Sequence, residues 1–297
     1  MPAWRKTDVA TYGLIEAGGT KFMLGLADEK GVIGEPYRIP TTTPEETLGA
    51  AIDWFRSKSP LYTAFGIGSF GPLDLNRNSP TWGYITRTPK PHWANTDLAG
   101  VFARAFSCPV GIETDVNGAA LAEARWGAGV GHGSLLYLTI GTGIGGGFVS
   151  DGRLLHGLSH PEMGHIRLPR HPDDLGFAGA CPFHGDCLEG LASGPAIIAR
   201  WGVSLSELAT DHLAHGIIAW YLGQAVCTFQ AMLEPERIVI GGGVTATPGL
   251  LDRVRKEAVN AGAGYFTGEP ADVIVAPGLG TGSGLMGALA IAIRSTS

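Results

Sequence analysis

A two-lobed α/β fold is what this chain of 297 residues predicts, on three observations. Short apolar runs of strand character alternate with helical stretches, the pattern of layered α/β proteins. Two passes along the chain open alike, each with a strand, a glycine turn and a second strand. Three glycine-rich turns each follow an apolar run, at Gly18-Gly19, Gly141-Thr142-Gly143 and Gly241-Gly242-Gly243. Glycine placement and apolar periodicity together predict an internal duplication, with two similar lobes facing each other across a cleft.

The composition suits that fold. With 44% hydrophobic and 16% charged residues, the chain can bury a large core. Its 46 glycines gather in short runs after apolar segments instead of filling a repetitive tract, so they mark tight backbone turns. A formal charge of −6 and the lack of a long Lys/Arg run argue against a nucleic-acid groove, which needs clustered positive charge. A phosphate bound here would be held by backbone N–H groups and a metal. Residues 1–10 carry charges and no apolar segment of a secretory signal, which predicts a cytoplasmic protein. The late apolar run 285–293 is well short of the roughly 20 residues that span a bilayer, and predicts a buried helix with no membrane partner.

Taken in order, the first pass has strands at 12–17, 22–27 and 64–68, a helix at 98–106 and a strand at 109–112. A helix over 117–126 follows Thr114-Asp115, and the glycine-containing stretch 127–133 separates the passes. The boundary is expected near Glu113: a small lobe of residues 1–113 plus a returning C-terminal helix 284–297, and a large lobe of 114–283. The second pass has a strand at 135–140, a glycine loop running from Gly141 to Gly147, a strand at 146–149 and another at 237–240. The polar stretch 169–181, rich in Pro, Gly and Asp, predicts a surface loop. The pattern over 211–233 is apolar on most faces and predicts a buried helix that ties the large lobe together.

Glycine lets backbone approach an anion closely, with Thr hydroxyls and amide N–H groups as donors. Any one such turn could equally be a simple chain reversal. Three in register point to phosphate. None matches a Walker A loop, and none opens a helix with dinucleotide spacing after the first strand. That leaves the actin-like ATPase (ribonuclease H-like) arrangement, in which β-hairpins from both lobes hold a triphosphate. Asp115 stands between an apolar strand and a helix, where a carboxylate can accept a proton from a hydroxyl attacking a γ-phosphate. It could also cap the helix, a role for which Asn117 is equally suited. Lys21 and Glu16 are open to two readings as well, a phosphate contact and an indirect metal contact, or an ordinary surface ion pair.

His165, Cys181, His184 and Cys187 supply two imidazoles and two thiols, with two residues between each of the last three. Such a set closes a tetrahedral zinc site on one loop, within the stretch 160–190, and four protein ligands make the metal structural. The alternative is a pair of unrelated buried thiols. Cys108 and Cys227 stand apart, so a disulfide framework is not indicated. The loop runs straight into Leu188-Glu189-Gly190, and Glu162 lies three residues before His165, so a bound ion would hold both carboxylates in place, suited to sugar hydroxyls. Solvated loop acids are the plainer reading of the two.

These residues resemble the ROK family of sugar kinases and repressors, and within it the fructokinase branch, from about Tyr12 to Ile293. The most specific motif is His160-Pro161-Glu162-Met163-Gly164-His165, followed by the Cys181 to Cys187 loop and Leu188-Glu189-Gly190-Leu191-Ala192-Ser193-Gly194-Pro195. The Gly-Gly-Thr-Lys turn, the Gly141 to Gly147 loop and Ile85-Thr86-Arg87-Thr88-Pro89-Lys90-Pro91 also resemble that branch. The resemblance implies an ATP-dependent hexose kinase, most specifically one converting fructose to fructose 6-phosphate, with a nucleotide and sugar cleft between the lobes. It implies Asp115 as catalytic base, and His165, Cys181, His184 and Cys187 as ligands of a structural Zn²⁺. Gly71, Glu162, Glu189 and the other ring nitrogen of His165 would contact the sugar. Gly18, Gly19, Thr20, Lys21, Thr142 and Gly143 match the phosphate turns of the family. Pro195, Gly241, Gly242, Gly243, Val244 and Thr245 match its adenosine side. Mg²⁺ would accompany ATP, neutralising charge on the β- and γ-phosphates. A homodimer is implied as well.

Two positions depart from the commoner family pattern: Thr114 stands where many relatives have Asn, and His184 where many have a third Cys. Both are features of the fructokinase-like branch, and they make glucose a less fitting substrate. The repressors of the family carry an N-terminal helix-turn-helix, for which the residues before the first strand are too few. The remaining alternatives are a glucokinase, mannokinase or N-acetylmannosamine kinase of the same family, and a non-catalytic sugar-binding regulator. A zinc hydrolase is disfavoured because four protein ligands leave no position for water.

Overall fold

The computed structural model describes residues 11–28, 30–59 and 61–296; the expectation about residues 1–10 lies outside them. The chain divides into two compact units: residues 1–122, 156–160 and 282–297 form the first, and residues 123–155 and 161–281 the second. The boundary expected from sequence lies near Glu113, whereas this division falls after Ala122 and adds the short segment 156–160 to the first unit.

Unit 1 is built on β1 (Tyr12–Ala17), β2 (Lys21–Asp28), β3 (Gly31–Pro40), β4 (Ala64–Ser69) and β7 (Val110–Thr114), with a two-stranded ribbon of β5 (Tyr84–Ile85) and β6 (Thr96–Asp97) beside them. The five-stranded sheet has the order β3-β2-β1-β4-β7; the first three strands are antiparallel neighbours and β1, β4 and β7 run parallel. The central strands β1 and β4 are buried almost throughout, so they read as continuous apolar runs without alternation. Helix α1 (Pro44–Lys58), which the sequence analysis did not single out, begins with Thr43 as N-cap, Pro44 in its first turn and two glutamates behind it. Phe55 of α1 meets Phe65 of β4 edge to face, with ring centroids 4.8 Å apart, in an aromatic core that includes Phe102 of α2 (Leu98–Phe106). The C-terminal helix Ser283–Ser295 crosses β4 where a side chain at Gly66 would collide with the Ala288 carbonyl, so only glycine permits the contact. This is the buried helix expected from the apolar run 285–293.

Unit 2 repeats the plan. Strands β8 (Ser134–Ile140), β9 (Ile144–Ser150), β10 (Arg153–Leu154), β11 (Arg237–Gly241) and β12 (Ile274–Val275) form a sheet of order β10-β9-β8-β11-β12, with β8, β9 and β10 antiparallel neighbours and β8, β11 and β12 parallel. Strand for strand, order and direction match unit 1, which is the internal duplication expected from the glycine turns. Helices α4 (Leu188–Ala192), α5 (Gly194–Trp201), α6 (Leu213–Leu233), α7 (Leu250–Gly262) and α8 (Pro270–Val273) complete the unit. Among the described residues α6 is the one helix long and apolar enough to cross a membrane by length and composition. Its Ile217, Ile218, Tyr221, Leu222, Val226 and Phe229 are buried in the core of unit 2, which accounts for that apolar character.

Three expectations are corrected. The glycine loop 141–147 is a turn only at 141–143; Gly145, Gly146 and Gly147 lie in β9, paired with β8. Gly146 and Gly164 lack side chains because the 3-10 turn Met163–His165 lies flush against β9. The stretch 169–181 is more than a surface loop. Asp174, only 6% exposed, receives hydrogen bonds from Arg200 and Tyr221, both at 2.7 Å, while Arg170 donates to the Asp174 and Phe177 carbonyls. Helix α3 runs over Asp115–Trp126, two residues earlier than its apolar pattern shows, because the capping hydroxyl belongs to Thr114.

Candidate active site and metal centre

In unit 1 the first glycine turn joins β1 to β2. The amide of Gly18 donates to the Lys21 carbonyl at 3.0 Å, and Thr41 bonds the turn from β3's end through its hydroxyl to Gly18 O at 2.7 Å. Thr20 and Lys21 are exposed beyond it. Glu16 sits one turn back with its carboxyl against Gly284, the second residue of the C-terminal helix. Burial raises its pKa above the ordinary carboxylate value, and the nearby Lys21 charge opposes that shift.

Asp115 is the first residue of α3, at the C-terminal end of the parallel strand β7. Neither Asp115 nor Asn117 caps the helix. The Thr114 hydroxyl accepts the Asn117 amide at 3.2 Å and does that work, while Asp115, exposed, accepts the Val116 amide at 2.9 Å. Asn117 is 1% exposed, and its side-chain amide donates to Glu113 at 3.0 Å. Open α/β sheets bind ligands beyond the carboxyl ends of their strands, which is where Asp115 stands. Gly71 lies in the turn after β4, and the ring of His160 packs on that turn, accepting the Leu73 amide at 3.3 Å.

In unit 2 the second and third glycine turns meet. Gly194, at the start of α5, donates to Gly141 O at 2.8 Å, and Val244 donates to Ile140 O at 2.9 Å. Beside them is a cavity of about 410 Å³ whose walls include Thr142, Pro195, Ile198, Leu205, Gly243 and Val244. Polar turns at one side and aliphatic walls at the other suit a phosphate-bearing group with a flat apolar ring. Of the adenosine-side residues inferred from sequence, Pro195, Gly243 and Val244 line the cavity. Gly241, Gly242 and Thr245 are not among its walls; Gly242 takes the left-handed φ of 99° that turns the chain, and the Thr245 hydroxyl bonds Gly242 O. Ile198, Leu205 and Thr247 were not found from sequence, because ordinary apolar or hydroxyl residues on helices and turns carry no glycine signal. Thr247 is 4% exposed and its hydroxyl has no partner.

The ligand atoms of His165, Cys181, His184 and Cys187 lie within 4.8 Å of one another. His165 Nδ1 is 3.3 Å from His184 Nδ1, 3.5 Å from Cys187 Sγ and 3.8 Å from Cys181 Sγ. A zinc tetrahedron with bonds of about 2.0–2.3 Å has edges of about 3.3–3.8 Å, so donor chemistry and spacing both fit Zn²⁺. Paired backbone bonds between Cys181 and Gly185, at 3.1 and 2.9 Å, close the loop that carries three of the four ligands. Burial pushes the Cys187 thiol upward, as expected for a sulfur in apolar surroundings before a metal claims it. With Nδ1 of His165 turned to the cluster, its other ring nitrogen is left for a different partner.

Glu189 is the second residue of α4, whose N-cap is Cys187; its Oε2 accepts the Ile144 amide at 2.9 Å, immediately after the 141–143 turn. Glu162 precedes the 3-10 turn and is exposed.

The ROK family profile matches residues 12–295. A fructokinase of Zymomonas mobilis subsp. mobilis is 53% identical over 297 residues, covering 98% of this chain and 99% of that one. The structure of a ROK hexokinase from Thermus thermophilus matches with a TM-score of 0.79 at 29% identity, covering 96% of this chain and 98% of that one. A ROK family glucokinase from Streptomyces griseus, solved with glucose and AMPPNP, matches with a TM-score of 0.74 at 28% identity, over 96% and 99% of the two chains. The duplicated sheets are therefore those of the actin-like ATPase fold.

Proposed function

Because the chain belongs to the ROK family, we propose that it is a fructokinase, transferring the γ-phosphoryl group of ATP to fructose to give fructose 6-phosphate. One observation in the structure carries the chemistry: Asp115 stands exposed at the end of a parallel strand, at the start of a helix whose capping is done by Thr114. Its carboxylate takes the proton of the attacking hydroxyl, and positioning plus charge stabilisation supply the rest of the rate.

Within unit 1, the Gly18, Gly19, Thr20 and Lys21 turn offers amide, hydroxyl and ammonium donors to phosphate oxygens, and Gly71 contacts the sugar. Within unit 2, Thr142 and Gly143 serve phosphate in the same way, and the cavity of about 410 Å³ takes the adenosine. Glu162, Glu189 and the outward nitrogen of His165 receive sugar hydroxyls. Mg²⁺ enters with ATP as its complex and neutralises charge on the β- and γ-phosphates. His165, Cys181, His184 and Cys187 would hold a zinc ion that clamps the loop, and four protein ligands would give it a structural role. The chain is proposed to act in the cytoplasm as a homodimer, which light scattering at assay concentration tests.

The functional test is ADP release with ATP and Mg²⁺ against fructose, mannose, glucose and N-acetylmannosamine, on wild type and Asp115→Ala. Fructose-dependent turnover lost in the variant supports substrate and base together. Turnover on another sugar alone discards the fructose assignment, and an active Asp115→Ala protein discards the base.

A further inference from the structure

The segment 156–160 belongs to unit 1 although the residues on both sides of it belong to unit 2, and its contacts explain why. His156 Nε2 lies 3.1 Å from Glu113 Oε2. The same carboxylate oxygen accepts the side-chain amide of Asn117 at 3.0 Å, and the Asn117 backbone amide is held by Thr114. Three residues later in the strap, the Ser159 hydroxyl donates to Leu73 O and His160 accepts from Leu73 N, both at 3.3 Å. One five-residue strap thus grips the turn that follows Gly71 and the strand end that precedes Asp115.

We propose that His156 is a positioning residue for Asp115, acting through Glu113. The inference rests on the reading of Asp115 as base. Glu113 is two residues from Asp115, and its side chain is 16% exposed. Its orientation is set from both sides, by His156 and by Asn117, and Asn117 in turn belongs to the first turn of α3. A carboxylate accepts only, so the Asn117 amide must face Glu113 with its N–H₂ end. The second effect is electrostatic. An uncompensated Glu113 adds a like charge two residues from Asp115, whereas a protonated His156 cancels it.

The groups that bear on His156 are Glu113 from β7 and Arg294 from the C-terminal helix. Its hydrogen bond to Glu113 raises its pKa above the ordinary histidine value, against burial and the Arg294 charge. The sign follows: the protonated His156 partner is lost, and the charged pair weakens, as pH rises through the raised pKa.

The bland alternative is a partly exposed ion pair with no effect on turnover, since the His156 side chain is 38% exposed. Steady-state kinetics on wild type, His156→Ala, His156→Gln, Glu113→Gln and the Ala/Gln double variant separate the two, with melting temperatures taken alongside. His156→Ala is expected to lower kcat/KM for fructose about tenfold, with KM for ATP unchanged, the size expected for losing one charge-assisted hydrogen bond. His156→Gln, whose amide donates from the place of Nε2, is expected to recover most of that loss and to flatten the decline of kcat/KM on the alkaline side. The double variant is expected to be no worse than the poorer single one. A His156→Ala protein that melts lower yet keeps wild-type kcat/KM, or two losses that multiply in the double variant, overturns the proposal. Asp115→Ala run in parallel isolates the underlying reading: if that variant turns over fructose, the base assignment fails whatever the His156 variants do.

Discussion

Glu189 Oε2 accepts the backbone amide of Ile144 at 2.9 Å, joining the first turn of α4 to the residue that follows the 141–143 turn. The same oxygen would lie 2.8 Å from a side chain at Gly143, so the turn rests against the carboxylate. The start of α4 and the 141–143 turn are therefore one mechanical piece of unit 2.

Glu189→Ala should leave the Ile144 amide without its acceptor, at a cost of about 1–3 kcal/mol, while Glu189→Gln keeps an acceptor and loses less. Denaturant unfolding of the two variants measures the difference, and KM for ATP should rise further in the Ala variant. Equal behaviour of Ala and Gln would mean the bond matters little.

Purified wild type should carry about one zinc per chain, and Cys187→Ser should carry close to none. Loss of the ion leaves the remaining thiol and imidazole ligands without a common partner, so melting temperature should fall in both the variant and the chelated wild type. Metal analysis paired with calorimetry decides, and a metal-free wild type of unchanged stability would remove zinc from the account.

Thr114→Ala removes the N-cap of the helix that begins with Asp115, and should cost about 1 kcal/mol of stability. Thr114→Asn restores a side chain that caps equally well and should stay within about 0.5 kcal/mol of wild type. Urea titrations of both variants check this; an unaffected Ala variant would show that the hydroxyl does not anchor the turn.

Glu16 supplies a pH dependence whose sign is opposite to that of a paired carboxylate. Burial raises its folded pKa above the ordinary 4.5, so its contribution to stability is full below that value and is lost as pH rises through the folded pKa. At pH 7, above the ordinary 4.5, the raised pKa costs stability, and Glu16→Gln should raise the melting temperature there, with the difference shrinking as pH falls toward 4.5. A variant that melts lower than wild type at pH 7 contradicts this, and would place the Lys21 charge above burial.

Val244→Phe should fill part of the unit 2 cavity and raise KM for ATP about tenfold, with KM for fructose changed by less than about twofold. The Val244 amide bond to Ile140 is backbone and survives the substitution. A variant with unchanged KM for ATP would mean that the nucleotide does not use this cavity.

Much of this was legible along the chain. Strand β1, the β8–β9 hairpin and β11 announce themselves because a central parallel strand buries both faces and a glycine turn must follow it. The candidate metal set was legible because three of its four residues sit on one short loop, where sequence spacing is nearly spatial spacing. The start of α3 was read two residues late: a cap is a question of which hydroxyl reaches which amide, and Thr114, Asp115 and Asn117 are all competent by residue type. Asp174 and Arg200, 26 residues apart, look like loop and helix-surface charges until folding buries them together.

The amino-acid sequence by itself determined the duplicated α/β plan, the glycine turns, the four metal-ligand candidates and Asp115 as the carboxylate in question. These follow from local rules of periodicity, backbone freedom and ligand spacing, which act over a few residues. Only the tertiary structure decided that Thr114 caps α3, that the unit 2 cavity is walled by Ile198, Leu205 and Thr247, and that His156 returns to Glu113, 43 residues earlier in the chain. Such contacts depend on how helices and straps cross the sheets, and the energies that set those crossings belong to packing between segments distant in sequence, where no local pattern records them.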